Sequence, residues 1–397
     1  MSPLPKRIDN HDIETRTGMS GLVRGKVIGS MNKRTAIFLS CVLLLVMAAP
    51  VPAQVRNPLP VPDVSGYRTL KCDFHIHTVF SDGQVWPPAR VVEAWRDGLD
   101  AVAITDHSGG GRNKEILKND LNLPHSLARP TADQLGMLLV PGVEVAQGLT
   151  HCNALFIKDA NEVTGMQLLP ALRKLRAQGA YLLWNHPGWR RPAIWYPDID
   201  EAYREKLIDG FEIVNDSEIY PDTQTWSEEK KLALFADSDV HATMEPQDAR
   251  TRRPITLVFV RKADLAGLRE ALDARRTAAW FRDDVWGAEE FLRGLWQGAV
   301  KVETAHLAFS PQVRRSGIRI ANTSAIPFQV KVKSAPAWLS LSAGTLPGER
   351  VVSVPVSAAK DAPAGEHRVE IVLEITNLHT APGKSLTAAL PLTVTVE

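Results

Sequence analysis

Cys72-Asp73-Phe74-His75-Ile76-His77-Thr78-Val79-Phe80-Ser81-Asp82-Gly83 is the densest run of chemistry in the chain. Its first half alternates polar and apolar side chains. In a strand, that alternation puts His75 and His77 on one face and Phe74 and Ile76 on the other. Two imidazoles one residue apart at a strand end can chelate a divalent ion through nitrogen. Histidines at this spacing also occur as ordinary surface or core groups, so the reading depends on what the rest of the chain adds.

Working outward, short apolar runs ending in ionisable groups recur. Ala101–Ile104 leads into Thr105, Asp106 and His107; Val140-Pro141-Gly142-Val143 leads into Glu144. The same happens at Thr150-His151-Cys152-Asn153, at Trp184-Asn185-His186-Pro187, and at Ala236-Asp237-Ser238-Asp239-Val240-His241, where Asp239 and His241 repeat the one-face spacing. Of the eleven histidines, six fall at such positions. Any one group could be a helix cap or a satisfied core residue, but the set is hard to explain that way. The expected strands are Leu70–His77, Ala101–Thr105, Met137–Val140, Asn153–Ile157, Tyr181–Trp184, Gly210–Val214, Leu232–Ala236 and Ile255–Val260. Helices fall between them, at Pro87–Asp97 and Met166–Gln178, each followed by glycine. This alternation builds parallel sheets and barrels, whose active sites lie at strand C-terminal ends.

The motifs His75-Ile76-His77, Asp82-Gly83, Thr105-Asp106-His107, Pro141-Gly142-Val143-Glu144, Asn185-His186-Pro187 and Ser238-Asp239-Val240-His241 stand in the order found in the polymerase-and-histidinol-phosphatase (PHP) superfamily, which the chain resembles from Tyr67 to about Asp284. The resemblance implies an α/β fold, a distorted (β/α)7 barrel over residues 66–298, with two or three divalent transition-metal ions (manganese, zinc or iron) at the strand ends. By position, His75, His77, Glu144 and Asp239 would hold one ion. Glu144 would bridge to a second held by His151 and His186, and Asp82, His107 and His241 would hold a third. Glu144, Asp239 and His241 are then the catalytic residues. The implied activity is that of a metal-dependent phosphoesterase using metal-activated hydroxide on a small phosphoester, in first place a phosphodiesterase. A phosphomonoesterase, or a PHP-related hydrolase of carbamates or amides, is the alternative. An amidohydrolase fits less well, because its usual bridging lysine has no counterpart here. A non-catalytic glycan-binding surface protein leaves nine strand-end ligands unexplained.

Two segments are expected to wall the cleft. Ser108–Pro130 is a long polar insertion with Gly109-Gly110-Gly111 at its base and the cations Arg112 and Lys114. Trp189, Arg190 and Arg191 follow the Asn185-His186-Pro187-Gly188 turn, and arginine suits bidentate contact with phosphate. With Trp184, Trp195 and Tyr196 they offer apolar walls for a diester's second organic group.

After Phe309 the texture changes to alternating strands with Pro, Gly and Ser turns. Residues 305–397 resemble an immunoglobulin-like β-sandwich. Every candidate ligand lies before Thr243, so this tail is expected to be independent of the site, with packing, glycan binding or a homodimer contact as its role.

At the other end, Lys33 and Arg34 precede an apolar run from Ala36 to Met47, closed by small residues up to Ala53. That is the pattern of a signal peptide over residues 31–53, cleaved near Ala53. Residues 1–30 read as a mis-assigned upstream extension. Export to the periplasm or outside the cell is expected, with no stable membrane anchor after cleavage. Residues 1–53 hold seven Lys/Arg and three Asp/Glu, so the formal charge goes from +1 for the whole chain to about −3 without them. That balance indicates no nucleic-acid partner beyond a substrate role. Cys72 and Cys152 lack metal-site spacing and are left without a role.

Overall fold

The computed structural model describes residues 55–397, apart from Arg112, Ala249 and the side chain of Lys114. The upstream extension and the signal peptide lie outside the described residues. Among the described residues no helix is long and apolar enough to cross a membrane.

β1 (Arg68–Asp73), β2 (Ala101–Ile104) and β3 (Leu138–Gln147) run parallel, with Cys72 opposite Ala101 and Ala101 opposite Leu138. β3 turns at Gly148, whose φ of +62° suits glycine, and returns antiparallel as β4 (Thr150–Leu155), which pairs antiparallel with β5 (Tyr181–Trp184). β6 (Gly210–Asn215) runs parallel to β5, carries the short antiparallel β7 (Glu218–Ile219), and is joined by the parallel β8 (Ala233–Asp237). On the far side of β1, β9 (Ile255–Val260) and β10 (Thr277–Phe281) are antiparallel. The sheet curls until Ile76, just past β1, bridges in parallel to Val240, just past β8. It is thus a mixed sheet rather than the all-parallel one the alternation suggests. Among the described residues the connections from β3 to β4 and from β8 to β9 carry no helix, and a parallel neighbour needs a crossover long enough to return the chain.

α1 (Pro87–Arg96) starts on proline, as the sequence indicates. The insertion after His107 is not a long irregular wall: its second half is α2 (Leu123–Leu135), which holds Pro130 inside and packs Ala128 and Ala132 against α1. Small side chains that allow close helix contact give little amphipathic signal, which hides this helix in the sequence. α3 (Leu168–Ala177) and α4 (Leu265–Asp273) cover the sheet, the latter capped by the Asp264 carboxylate accepting from the Gly267 amide at 2.7 Å.

β11 (Asp284–Gly287) completes a hairpin with β10, and α5 (Glu289–Ala299) follows it. From Val300 onward the described chain is β-rich. β12 (Val300–Val302) leaves α5 without a linker and pairs with β14 (Arg315–Asn322) after the intervening β13 (His306–Phe309). β15 (Phe328–Ser334), β16 (Leu339–Leu341), β17 (Thr345–Leu346), β18 (Arg350–Ala358), β19 (Gly365–Ala381) and β20 (Lys384–Val396) complete two sheets, one in the order β12-β14-β18-β16 and one built on β13-β20-β19 with β15 beside β19. This second sheet continues the first region's: β19 pairs in parallel with β11, Val285 opposite Leu378 and Trp286 opposite His379.

One core runs through both regions. On α5, Phe291 stacks on Phe259 of β9 at 4.5 Å, while Trp296 packs edge-on against Phe328 of β15 at 5.2 Å. Burying each of these aromatics contributes about 2–3 kcal/mol. α5 therefore serves both regions, whose buried apolar residues form one cluster.

Candidate metal centre

The site lies beyond the C-terminal ends of the curled sheet, where strand ends deliver side chains and helices do not block them. His75 and His77 continue β1, and their Nε2 atoms face each other at 3.1 Å, as one-face spacing requires. Phe74 leaves in another direction and packs on Phe235 at 5.7 Å, forming a floor below the site. Gly83 permits the loop carrying Asp82 to lie against the strand end, since a Cβ there would sit 2.7 Å from the His77 backbone. Two other candidate ligands occupy left-handed backbone: His186 at φ +29° and Asp239 at φ +50°. Non-glycine residues hold such conformations at a cost, and they concentrate where a side chain must be aimed.

Glu144, fully buried, is the hub. Its oxygens lie 3.4 Å from His75 Nε2, 3.3 Å from His77 Nε2, 2.8 Å from His107 Nδ1, 3.0 Å from His151 Nδ1 and 3.6 Å from His186 Nε2. Asp239 Oδ1 lies 3.0 Å from His77 Nε2 and 3.2 Å from His75 Nε2. Asp82 approaches His241 Nε2 at 3.2 Å and His107 Nε2 at 3.6 Å. All nine sequence-expected ligands thus come together. They fall into overlapping groups: His77 with Asp82, His107 and His241; His75 with His77 and Glu144; His75 with His186 and Asp239; and His107 with Glu144 and His151. His186 groups with His75 and Asp239, although the resemblance pairs it with His151, whose ring is nonetheless only 4.8 Å away.

The residues fit a set of divalent cations on two counts. Glu144 Oε2, Asp82 Oδ1, Asp239 Oδ1, His107 Nδ1 and His186 Nδ1 are buried without a hydrogen-bond partner of proper geometry. Orphaned ligand atoms that converge are otherwise costly. The imidazoles are also set as ligands. His75 Nδ1 donates to Glu212 at 2.8 Å, and His77 Nδ1 donates to Ser81 Oγ at 3.1 Å, which in turn donates to Asp106. His241 Nδ1 donates to the Asp239 carbonyl at 2.7 Å. In each case the other nitrogen keeps its lone pair facing the cluster.

Electrostatics follow from this crowding. Burial alone would depress His107, but Glu144 and Asp82 outweigh it and push it up to about 10. His75 is likewise raised against burial by Asp239, Glu212 and Glu144. His77 goes the other way because burial dominates, and the nearby His107 adds to the lowering against the pull of Asp239 and Glu144. For Glu144, burial would raise the carboxyl, yet His107 and His75 hold it well below the usual range.

A supporting layer was only partly visible in the sequence. Buried Glu212 accepts from His75, from the His186 amide at 2.7 Å and from Asn215 at 2.9 Å. Asn185, quoted only as part of a motif, donates to Glu144 at 2.8 Å. Arg90 on α1 is buried and ties the two ends of the site together, donating to the carbonyls of His77 at 2.9 Å, His241 at 2.7 Å and Ala242 at 2.7 Å. Arg253 links Asp73 at 3.1 Å to Asp97 at 2.6 Å beneath Ser238. Glu212 breaks the apolar alternation of Gly210–Val214, which is the one signal that could have found it.

Of the expected cleft walls, Trp189 stands in place, 5.3 Å from the rings of both His151 and His186, with Arg190 over its outer face at 4.5 Å. Arg191 instead donates to Thr150 at 3.0 Å and lies over Tyr196 at 3.8 Å. Trp184 is wholly buried, and Trp195 packs on Trp184 and Trp226, so these two are core and not wall. Arg112 and the Lys114 side chain lie outside the described residues. Cys72 and Cys152 are both buried and unbridged, and burial pushes both thiols up.

This architecture has a close counterpart. The chain is similar to a two-domain protein from Bacteroides vulgatus that contains a predicted PHP-like metal-dependent phosphoesterase, known from its crystal structure: 34% identical, over 86% of this chain and 100% of that one, with a TM-score of 0.79. It is also 35% identical over 82 residues to an uncharacterized protein of Methanocaldococcus jannaschii, a match covering 21% of this chain and 34% of that protein. The chain thus spans about a third of this curated relative's length. No family model matches the sequence. A mixed α/β sheet with a His/Asp/Glu cluster at its strand ends and a β-rich C-terminal region defines a class of metal-dependent hydrolase. The chain belongs to the PHP-like metal-dependent phosphoesterases.

Proposed function

We propose that the protein is an exported phosphodiesterase, with the curled sheet as a distorted (β/α)7 barrel and the C-terminal region as an immunoglobulin-like sandwich. The observation that carries the diester reading is that the cluster is flanked at both ends. Trp189 borders it beside His151 and His186, and a cavity of about 450 Å³ opens beside Asp239 and His241. A diester has an organic group on each side of phosphorus and can use both the indole and the cavity, whereas a terminal monoester needs one.

Two or three divalent ions of the manganese, zinc or iron kind would be held by His75, His77, Asp82, His107, Glu144, His151, His186, Asp239 and His241. When bound, such ions lower the pKa of water and offset charge on phosphoryl oxygens. The protein's own part is to aim these nine groups before substrate arrives. Glu212 and the Ser81–Asp106 pair hold His75 and His77 in the tautomer that presents Nε2. Glu144, fully buried among five histidines and Asn185, keeps its charge for the cluster because His107 and His75 hold its carboxyl well below the usual range. His241 and Asp82, the more exposed of the set, form the side from which substrate and water enter.

The test compares kcat/KM for bis(4-nitrophenyl) phosphate and 4-nitrophenyl phosphate on one metal-loaded sample of residues 54–397. Faster diester cleavage is expected. A monoester faster by about tenfold, worth about 1.4 kcal/mol of transition-state preference, overturns the diester reading and leaves the phosphomonoesterase.

A further inference from the structure

The cavity beside Asp239 and His241 is built for more than an apolar arm. Its outer wall is formed by Arg250 and Arg252 from the segment after the site and by Arg282 from the β10–β11 turn. None of the three has an ion-pair partner within 4 Å among the described residues, in contrast to Arg253 on the same lining, which Asp73 and Asp97 neutralise. Apart from Asp239, Asp216 is the only carboxylate on the lining among the described residues. Arg252 feels Glu349, Asp248 and Asp283 at longer range, too far to pair. Solitary surface arginines are ordinarily solvated. Three around one concavity that opens onto a metal cluster make a positive recess, and a planar guanidinium grips a carboxylate or phosphate in two-point fashion.

The recess is also held in shape. Asp248 accepts from the amides of Arg250 at 2.7 Å and Thr251 at 3.0 Å, fixing that turn. Arg252 rests over the face of Trp280 at 4.6 Å and reaches the Ala325 carbonyl in the C-terminal region. Arg282 sits at φ +54° in the β10–β11 turn, whose carbonyl accepts from Trp280 Nε1 at 2.9 Å. The next residue, Asp283, is gripped from the C-terminal region by Asn377 on its carbonyl and Gln329 on its carboxylate. The C-terminal region thus braces two of the three arginine positions.

We propose that this recess is a subsite for a second anionic group of the substrate, a carboxylate or phosphate on the arm lying beyond Asp239 and His241, with Arg250, Arg252 and Arg282 setting that preference. The proposal rests on the phosphoesterase reading. The substrate class is then a phosphoester whose non-scissile part carries its own negative charge. At about 450 Å³ the recess accommodates an aromatic or sugar ring with its oxyanion.

The test uses non-hydrolysable probes, so that binding is read apart from turnover. Metal-loaded residues 54–397 are titrated calorimetrically with phenylphosphonate, 4-carboxyphenylphosphonate and the longer 4-(2-carboxyethyl)phenylphosphonate; a 4-(phosphonomethyl)phenylphosphonate arm, a non-hydrolysable stand-in for phosphate, separates phosphate from carboxylate. At least one charged-arm probe should bind about tenfold tighter than phenylphosphonate, and Arg250→Gln/Arg282→Gln should reduce that ratio to within about twofold of unity. Both side chains are exposed, so this variant should fold; Arg252→Gln is a second variant, checked by circular dichroism because its side chain is partly packed. Lys206→Gln, in a basic cleft at the opposite strand ends, should keep the ratio. Equal binding of all probes, a preference that survives the double replacement, or binding of none overturns the subsite. Hydrolysis of bis(4-nitrophenyl) phosphate and of 4-nitrophenyl phosphate by the same sample tells the failures apart: if either persists, only the subsite falls, and if both are absent, the phosphoesterase reading falls with it.

Discussion

The two regions of this molecule bury different things. In the first, the interior near the strand ends holds His75, His77, Glu144, Glu212, Asp237 and Asp73, two of which, Glu144 and Asp237, have an oxygen that finds no hydrogen-bond partner. In the C-terminal region the buried polar residues are Asn322, Ser324 and Asn377, all neutral and all hydrogen-bonded. Asn322, for example, donates to the carbonyls of Ile326 at 2.8 Å and Leu346 at 3.2 Å, and accepts from Ser324. A buried charge without protein partners lowers stability and persists only when something else uses it, whereas a satisfied buried amide fixes a turn. The same degree of burial thus marks function in one region and architecture in the other.

The contrast breaks most visibly at the hub. Glu144→Gln or Asp239→Asn should lower turnover by at least about a thousandfold with the fold retained, because each removes ligand charge. Near-normal rates in either variant, measured with metal in excess, would refute the site assignment. Next comes Glu212→Gln, which keeps the shape but weakens the acceptor of the His75 Nδ1 proton. Metal affinity should fall about 10- to 100-fold, as read by competition with a chelating dye; an unchanged affinity would mean that Glu212 is architecture after all. In the other region, Asn322→Ala should cost about 1–3 kcal/mol in urea unfolding, since it strands buried carbonyls, while metal stoichiometry stays the same. Loss of metal from a folded Asn322→Ala protein would erase the distinction between regions. The smallest effect belongs to the rim: Trp189→Ala should raise KM a few-fold, about 1 kcal/mol, with kcat nearly kept. A Trp189→Ala protein whose kcat collapses while KM holds would instead place the indole in the chemistry.

The sequence made the nine clustered residues legible because metal chelation demands particular side chains at strand ends, and polar groups stand out where apolar runs stop. It also marked the change of texture near Phe309. Less legible was whatever depends on partners far along the chain. Arg90 and Arg253 look like ordinary helical and loop cations until the fold places the carbonyls of His77 and His241 around one and Asp73 and Asp97 around the other. The tryptophans misled for a related reason: Trp184, Trp189 and Trp195 share one segment, yet strand direction sends Trp184 into the core and the turn after Gly188 leaves Trp189 at the site. The antiparallel returns at β4 and β9 were hidden because a strand's direction is set by its connections and not by its composition.

The parallel pairing of β11 with β19 bears on how the chain is made. Val285 waits for Leu378, so during synthesis from the N-terminal end the rim of β11 stays bare until almost the whole polypeptide exists. A bare strand rim invites pairing with a neighbouring chain, and contacts so distant along the sequence close slowly. The last strands to be synthesised therefore act as the closing seam of the first region, and a nascent or clipped product lacking them carries an open, adhesive edge.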